Sequence, residues 1–467
     1  MKIFVINPVF SKVTTAEEAK FISSLIFVRG SKWIEGQFEK KEIATTKPLI
    51  NKGIFLTGFI PRIIADCKTR NVKCEIILQP NNSILASEPI EKIKIPSDIK
   101  ELASEQIEAI KAMINNHRGV IHYPTGSGKT VIILGFLSLY PIYNSLIIVN
   151  TQDLLLQTID RAEELFPGEV GIIGNGTINP NRITITTIQT LYQLNLDDFG
   201  KSINIVIVDE CHHCSELAKP FVRTAKEEGT YAKVLTQIMA SKRFGLTGTL
   251  PYIHKAKMAL EGYIGPVIIT KNINEINRLA KVIVKLIKLP ETTTIRGSKK
   301  PYDEIYKLGV IFNSRRNKTI LIESEKLIKE DRTILILVTA IQHGHNIMNL
   351  AKRSFPHLKM KFVWSGIASK DRNEIKKQFN NKEYDIIIAD AVWKEGIDIP
   401  TLGAIINGAG GKSEIVTIQS IGRGLRRVEG IKEDVVLIDF FDPSHRFLRD
   451  HFAERLTLYF DLGWMER

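Results

Sequence analysis

Long apolar runs are missing from this 467-residue chain: none approaches the roughly 18 residues needed to span a bilayer, which argues against a transmembrane helix. The start, Met1-Lys-Ile-Phe-Val-Ile-Asn-Pro8, is too short and too interrupted by polar residues for a signal peptide, so a cytoplasmic location is expected and no membrane partner. Cysteine is scarce. Cys67, Cys74, Cys211 and Cys214 are too few for a disulfide framework in a chain of this length, which fits a reducing compartment. Cys211-His-His-Cys214 has half the spacing of a zinc site, but no second Cys/His pair with ligand spacing follows it, and zinc is not expected. Internal repeats and low-complexity tracts are also lacking, which leaves a chain of ordinary globular domains.

What is present is a globular composition, with 44% hydrophobic and 25% charged residues, and a length that predicts about three domains. Lys and Arg outnumber Asp and Glu by 64 to 51, a net charge of +13 that favours a polyanionic partner. Residues 1–95 mix short apolar runs (Ile3 to Ile6, Ile54 to Leu56, Cys74 to Leu78) with one helix expected after Pro61, and read as a small α+β domain with its own core. From Ser104 onward apolar runs alternate with amphipathic stretches. Gly119 to His122, Leu146 to Asn150, Ile183 to Thr186, Ile203 to Val208 and Phe244 to Thr247 are strand-like, a βαβ rhythm that predicts a parallel sheet covered on both faces. The polar stretch Pro290 to Pro301 interrupts the rhythm as an exposed loop. It resumes with Thr333 to Val338, Lys361 to Trp364, Asp385 to Ala389, Gly403 to Asn407 and Asp434 to Ile438. Two α/β domains in tandem are therefore expected, at 96–266 and 267–467, joined near Gly265-Pro266.

Chemistry enters with Tyr123-Pro-Thr-Gly-Ser-Gly-Lys-Thr130, which follows a strand and precedes the apolar stretch Val131 to Leu139. Such a loop wraps phosphates: in the run Pro124, Thr125, Gly126, Ser127 and Gly128 the glycines let backbone N–H groups approach, Lys129 reaches the β- and γ-phosphates and Thr130 ligates Mg²⁺. The strict pattern places a glycine where this chain has Tyr123. A second loop, Gly408-Ala-Gly-Gly-Lys-Ser413, matches equally well and lacks its first glycine too, having Ile406 there. What separates the two is the next element. Beyond Lys129 a strand ends in Asp209 and Glu210, suited to holding Mg²⁺ and polarising an attacking water, whereas beyond Lys412 only Asp439 and Asp442 remain. A third element, Gln419-Ser-Ile-Gly-Arg-Gly-Leu-Arg-Arg427, lies in the other α/β domain. Its guanidinium groups suit a γ-phosphate, so hydrolysis is expected to depend on closure of the two domains.

In this order and spacing, Pro124 to Thr130, Asp209-Glu-Cys-His212, Thr247-Gly-Thr249 and Gln419 to Arg426 resemble motifs I, II, III and VI of the superfamily 2 helicases, over about residues 98 to 442. Val149-Asn-Thr-Gln152 with Gln157 resembles motif Ia, Ile185 to Thr190 motif Ib, Leu335 to Gly344 motif IV, and Ile388 to Asp390 through Gly396-Ile-Asp-Ile-Pro400 motif V. The resemblance implies two tandem RecA-like domains behind the small α+β N-terminal domain. It implies ATP and Mg²⁺ as cofactors, with Lys129, Asp209, Glu210, Arg423 and Arg426 carrying hydrolysis, and Gln106, Gly396, Asp398 and Gln419 joining the phosphate loop in nucleotide binding. Gln106 sits where such proteins read adenine, although the run Leu102-Ala-Ser-Glu-Gln106 departs from their Leu-Arg-x-Tyr-Gln pattern. Thr151, Gln157, Thr186, Thr187, Thr190 and Trp393 are the expected nucleic-acid contacts, holding a single strand through its phosphates without reading sequence. Thr247 and Thr249 couple nucleotide state to that grip.

The compact layout looks like that of the UvsW-type phage helicases, which unwind forks and migrate Holliday junctions in recombination, replication and repair. The resemblance thus implies a DNA helicase on forked or branched DNA and single-strand/duplex junctions, a monomer in the host cytoplasm, whose N-terminal domain grips the duplex. Two rivals stay open: an RNA helicase or duplex translocase of the same superfamily, and a nucleotide-gated binding protein without productive turnover.

Overall fold

The computed structural model describes residues 1–467 apart from 36–39, 79–84, 100, 125, 218–220, 223–227, 252, 273–274, 277–279, 391–398, 400, 412–433, 462–463 and 466–467. The chain forms two compact units, one of Met1–Tyr123 and Gly128–Lys271, the other of Pro124–Ser127 and Asn272–Arg467. Among the described residues no helix is long and apolar enough to cross a membrane.

The first unit opens with a four-stranded sheet in the order Ile54–Leu56, Phe10–Lys12, Lys2–Val5, Glu75–Leu78. Helix Ile60–Thr69, with Pro61 in its first turn where no amide partner is lost, buries Ile63 and Cys67. The expectation of a separate core for this region is corrected. Ile3, Val9, Phe55, Phe59 and Ile63 pack in one continuous cluster with Val120, Leu146, Val208, Met258 and Tyr263 of the segment that follows, because the short N-terminal sheet is too small to bury a core alone.

The main sheet of this unit has eight strands in the order Thr177–Asn179, Val170–Gly174, Ile183–Thr187, Ser145–Val149, Ile205–Asp209, Lys242–Thr247, Arg118–His122, Val267–Thr270. Every neighbouring pair is parallel except the first. Alternate residues of its central strands enter different cores: Leu146, Val206 and Val208 one, and Ile147, Ile207 and Phe244 the other. Both faces are covered, which is why these strands read as continuous apolar runs. Strand Val267–Thr270 pairs with Arg118–His122, so the chain leaves this sheet after Thr270, a few residues later than Gly265-Pro266.

The second unit holds a six-stranded, wholly parallel sheet in the order Lys281–Lys288, Asp434–Phe441, Leu402–Asn407, Thr333–Leu337, Ile386–Ala389, Met360–Val363. Its faces also divide between two cores, Leu335, Ile387, Ile405 and Leu437 on one side and Ile334, Ile336, Ile388 and Ile406 on the other. These sheets are the two RecA-like domains of the expected α/β fold.

His343, on helix Ile341–Ser354, is wholly buried, and its Nε2–H donates to Asn317 Oδ1 at 2.8 Å. Burial, followed by the nearby Arg316 guanidinium, pushes its pKa down to about 3. A depressed histidine favours folding fully above its unfolded value and loses that contribution as the pH falls toward the folded value, because the unfolded chain takes a proton that the folded one refuses. Urea denaturation from about pH 7.5 to about pH 5.5 is expected to cost the second unit about 1 kcal/mol through this group. His343→Gln should flatten that slope.

Candidate functional site

Three adjacent parallel strands, Ile205–Asp209, Lys242–Thr247 and Arg118–His122, end on the same edge of the first sheet. Ligands in open α/β sheets bind beyond the carboxyl ends of the strands, and here those ends deliver Asp209-Glu210, Thr247 and the phosphate loop side by side.

Tyr123, which stands where the strict loop pattern has glycine, continues the strand ladder. Its N–H donates to Thr247 O at 3.0 Å and its buried hydroxyl donates to Glu105 O at 2.9 Å, fixing the loop's departure from the core. Ser127 N–H donates to Pro124 O at 3.2 Å. Gly126 (φ 86°) and Gly128 (φ 77°) adopt the left-handed region that a glycine enters at little cost, and Gly128 starts helix Lys129–Ser138. A helix N-terminus, whose first backbone amides have no partner within the helix, thus follows the glycines directly, as anion binding requires.

Lys129 is almost fully buried, and its Nζ lies 3.4 Å from Glu210 Oε1. Glu210, in the left-handed region at φ 51°, donates its N–H to Asp209 Oδ1 at 3.0 Å. Burial alone would raise the Glu210 pKa, but Lys129 and His212 outweigh it and lower the pKa to about 2, so the side chain is a carboxylate. Asp209 is shifted the other way, raised to about 6 by burial and then by the Glu210 charge. Neighbouring acids held apart in this way take different tasks.

His212 extends the network. Its Nδ1 lies 2.8 Å from Thr247 Oγ1 and 3.4 Å from Glu210 Oε2. Thr247 Oγ1 donates to Thr249 O at 2.7 Å and accepts from Thr249 N–H at 3.2 Å, so its proton is already used and His212 Nδ1 must be the donor between them. Lys129, Glu210, His212, Thr247 and Thr249 thus form one continuous chain of polar contacts from the phosphate loop to motif III. The sequence motif alone assigns His212 no role. The available signal was a titratable side chain two residues beyond the acid, on the short turn Cys211–His213. Its neighbour His213 receives a hydrogen bond from Asn150 Nδ2 at 3.1 Å, which ties the end of strand Ser145–Val149 to the same turn.

The donor set fits Mg²⁺ and a nucleotide. A carboxylate (Asp209) and a hydroxyl (Thr130) are hard oxygen ligands, and Mg²⁺ takes one or two carboxylates, completing its shell with phosphates and water. Among the described residues no group of three or more His, Cys, Asp or Glu is arranged to hold a metal. Cys211 and Cys214 are buried free thiols whose pKa values burial pushes up.

The other expected contacts occupy varied places. Gln106, buried on helix Ser104–Asn115, accepts the Ala103 N–H on its Oε1 at 3.1 Å. Thr151 caps helix Gln152–Leu165 by accepting from Leu154 N–H, and Gln157 is exposed on that helix. Thr187 caps helix Ile188–Tyr192 and lies 2.9 Å from Thr190 Oγ1, while buried Thr186 donates to Thr187 O. The hydroxyls of Thr151, Thr186 and Thr187 therefore have structural partners within the protein. Thr125, Trp393, Gly396, Asp398, Gln419, Arg423 and Arg426 lie outside the described residues.

In the described part of the rival loop, Gly408 to Gly411, the carbonyls are held by side chains of the same unit. Gly408 O accepts from Arg316 Nη2 at 3.2 Å, Ala409 O from Tyr306 Oη at 2.7 Å and Gly411 O from Arg455 Nη1 at 2.9 Å. These contacts give the segment a structural role within its own unit. Asp439, one of the two remaining acids, is fully buried and paired with Arg455 (Nε to Oδ2, 2.8 Å), with the Tyr459 hydroxyl donating to it as well.

The family described as type III restriction enzyme, res subunit, matches residues 99–252, and the helicase conserved C-terminal domain matches residues 317–428. The DNA 3'-5' translocase XPB2 of Sulfurisphaera tokodaii is 28% identical over 389 residues, covering 75% of this chain and 83% of that protein. The ATP-dependent DNA helicase uvsW of Enterobacteria phage T4 is 27% identical over 376 residues, covering 76% and 72%. In fold, the structure of Mycobacterium smegmatis helicase Lhr bound to ssDNA and AMP-PNP matches with a TM-score of 0.52 at 16% identity, over 77% of this chain and 49% of that one.

Glu210→Gln preserves size and removes charge. Steady-state turnover should fall by about 10² to 10⁴, the range for loss of a general base, while nucleotide affinity measured by fluorescence titration stays within a few-fold.

Proposed function

The chain belongs to helicase superfamily 2, and from that premise we propose that it is an ATP-driven motor on DNA whose working substrates are forks and branched junctions. The observation that carries the reading is the unbroken polar chain Lys129–Glu210–His212–Thr247–Thr249. It couples the group that would hold the terminal phosphates to the segment that, by resemblance, senses nucleic acid.

The chemistry divides among the residues as follows. Bound Mg²⁺ would neutralise phosphate charge. Lys129 and the amides beyond Gly126 hold the β- and γ-phosphates, Thr130 and Asp209 supply hard oxygens, and Glu210, kept ionised by Lys129, orients the attacking water and takes its proton. Gln106 is assigned to adenine, and Arg423 and Arg426 to charge stabilisation in the transition state. Loss of a transferred phosphate removes the partner of Lys129, and Glu210 and His212 offer the route by which that change reaches Thr247.

DNA is favoured over RNA by the names of two relatives, a DNA translocase and a DNA helicase. The first of those names also supports a second reading, translocation along duplex without strand separation. The +13 charge suits either. A monomer holding the strand through Thr151, Gln157, Thr190 and Trp393 accounts for the expected lack of sequence preference.

One assay separates these readings: ATP turnover and strand separation with forked DNA, linear duplex, single-stranded DNA and RNA. Forked DNA should give the greatest stimulation and be unwound, and EDTA should stop both activities. Lys129→Ala should lower turnover by about 10² to 10³. Stimulation by RNA alone would overturn the DNA assignment, and stimulation by linear duplex without unwinding would favour the translocase.

A further inference from the structure

In the second unit, helix Tyr302–Tyr306 runs into one turn of π-helix, Lys307–Ile311, and the chain bends at Phe312 before helix Ser314–Lys329 begins. Phe312 N–H donates to Lys307 O at 2.9 Å, a span one residue longer than in an α-helix. Turns of this kind are rare and collect at functional sites. Here the turn sets an aromatic ring outward: Phe312 is 56% exposed, while Ile311 and Asn313 on either side are buried.

A single exposed aromatic is ordinary on a protein surface. What sets Phe312 apart is its mounting. Asn346 Nδ2 donates to Ile311 O at 2.9 Å and Asn317 Nδ2 to the same oxygen at 3.3 Å, while Asn313 Nδ2 donates to Gly309 O at 3.0 Å and to Thr292 Oγ1 at 3.1 Å. Asn313 also caps helix Ser314–Lys329, its Oδ1 accepting Arg316 N–H at 3.1 Å, and Asn317 Oδ1 accepts from buried His343. Beneath the turn, Ile305 and Val310 pack with Ile295 and Leu448, and a Cβ on Gly309 would lie 2.8 Å from Ile295 Cδ1. Asn313, Asn317, Asn346 and this small core hold the backbone on both sides of Phe312. Its ring is therefore presented to solvent with little ordering left to be done on binding.

Position and charge name the ligand. Arg316, in the first turn of helix Ser314–Lys329, donates to Gly408 O just past strand Leu402–Asn407, so the turn lies at the carboxyl edge of the second sheet, where open α/β sheets bind ligands. The hydroxyls of Tyr306 and Thr339 are bonded to each other, and Thr339 belongs to the segment that resembles motif IV, as does the start of helix Ile341–Ser354, which carries Asn346. Residues 307–322 contain Lys307, Arg315, Arg316 and Lys318 and no acid, and Lys307, Arg315 and Lys318 are exposed. An exposed ring flanked by cations suits a single nucleic-acid strand, whose bases have free faces to stack and whose phosphates take the charge. A duplex, with its bases already stacked on one another, offers the ring no such face.

We propose that Phe312 is a base-stacking site: it takes the face of a nucleobase of single-stranded DNA lying along the motif IV edge, with Arg315 and Lys318 on neighbouring phosphates. The proposal rests on the reading of the chain as a DNA motor. It adds to the phosphate grip a contact with the bases, one that any base satisfies and that reads no sequence.

The test uses the full chain and two single strands of equal length and charge, one ordinary and one abasic over its central run, with affinities measured by fluorescence anisotropy. The wild-type chain should favour the ordinary strand. Phe312→Ala should weaken binding to that strand by about 5- to 100-fold, the range for losing one stacked base, and weaken binding to the abasic strand by less than about twofold. Phe312→Trp should restore the preference, and Phe312→Leu, apolar but without a π face, should not. Arg315→Ala combined with Lys318→Ala should weaken binding to both strands and shrink the slope of log affinity against log salt by roughly one, since each single-strand phosphate contact contributes about 0.7. Urea-denaturation midpoints matching the wild type serve as the check on folding.

Ordinary-strand affinity unchanged by Phe312→Ala would overturn the proposal. So would equal losses on the two strands, which would make Phe312 a packing residue, or full rescue by leucine, and an unchanged salt slope in the double variant would remove Arg315 and Lys318 from the site. A wild-type chain that binds neither strand would instead overturn the motor reading beneath it.

Discussion

The buried pair between Lys129 and Glu210 is the constraint on which the rest of the site depends. Removing one partner of such a pair leaves an uncompensated buried charge, typically at a cost of about 3–5 kcal/mol, so loop and acid are held to each other. The pair forms because parallel strands deliver their carboxyl ends to one edge, with Lys242–Thr247 lying between the strand of the loop and the strand of the acids. Thr247 ends that middle strand. Its hydroxyl is therefore within reach of His212, and a change at the phosphates has a short polar path to motif III.

The N-terminal region extends that logic outward. It shares its core with the first sheet, and Arg62, Gly58 and Phe27 fasten it to the helix that motif III leads into. Burial of this kind holds the N-terminal sheet and the first RecA-like sheet together in one compact unit.

Much of this was legible because strands buried on both faces read as plain apolar runs. Ile203 to Val208 and Asp385 to Ala389 needed no further context, and the phosphate loop needed only the strand before it and the acids after it. Less was legible where burial is one-sided. Lys281–Lys288, on the sheet edge, has its aliphatic run broken by Lys285, and Val170–Gly174 is interrupted by glycines. The paired strands Phe27–Glu35 and Lys40–Pro48 escaped notice because charged and polar residues break up their apolar pattern. The text of the two glycine loops could not separate them either, since side-chain contacts to a loop's carbonyls, such as those of Arg316 and Arg455 to Gly408 and Gly411, are not written in a motif. Tyr123 shows the converse, a departure from pattern that the fold explains through the hydroxyl's bond to Glu105. His212 stands in the motif text, but its contact is with a threonine 35 residues away.

The central claim is that Thr247 links hydrolysis to nucleic acid. It is tested most directly by the ratio of DNA-stimulated to DNA-free ATP turnover in Thr247→Val, which keeps the shape and removes the hydroxyl between His212 and Thr249. The account predicts that this ratio collapses toward one while nucleotide affinity holds. An unchanged ratio would contradict it.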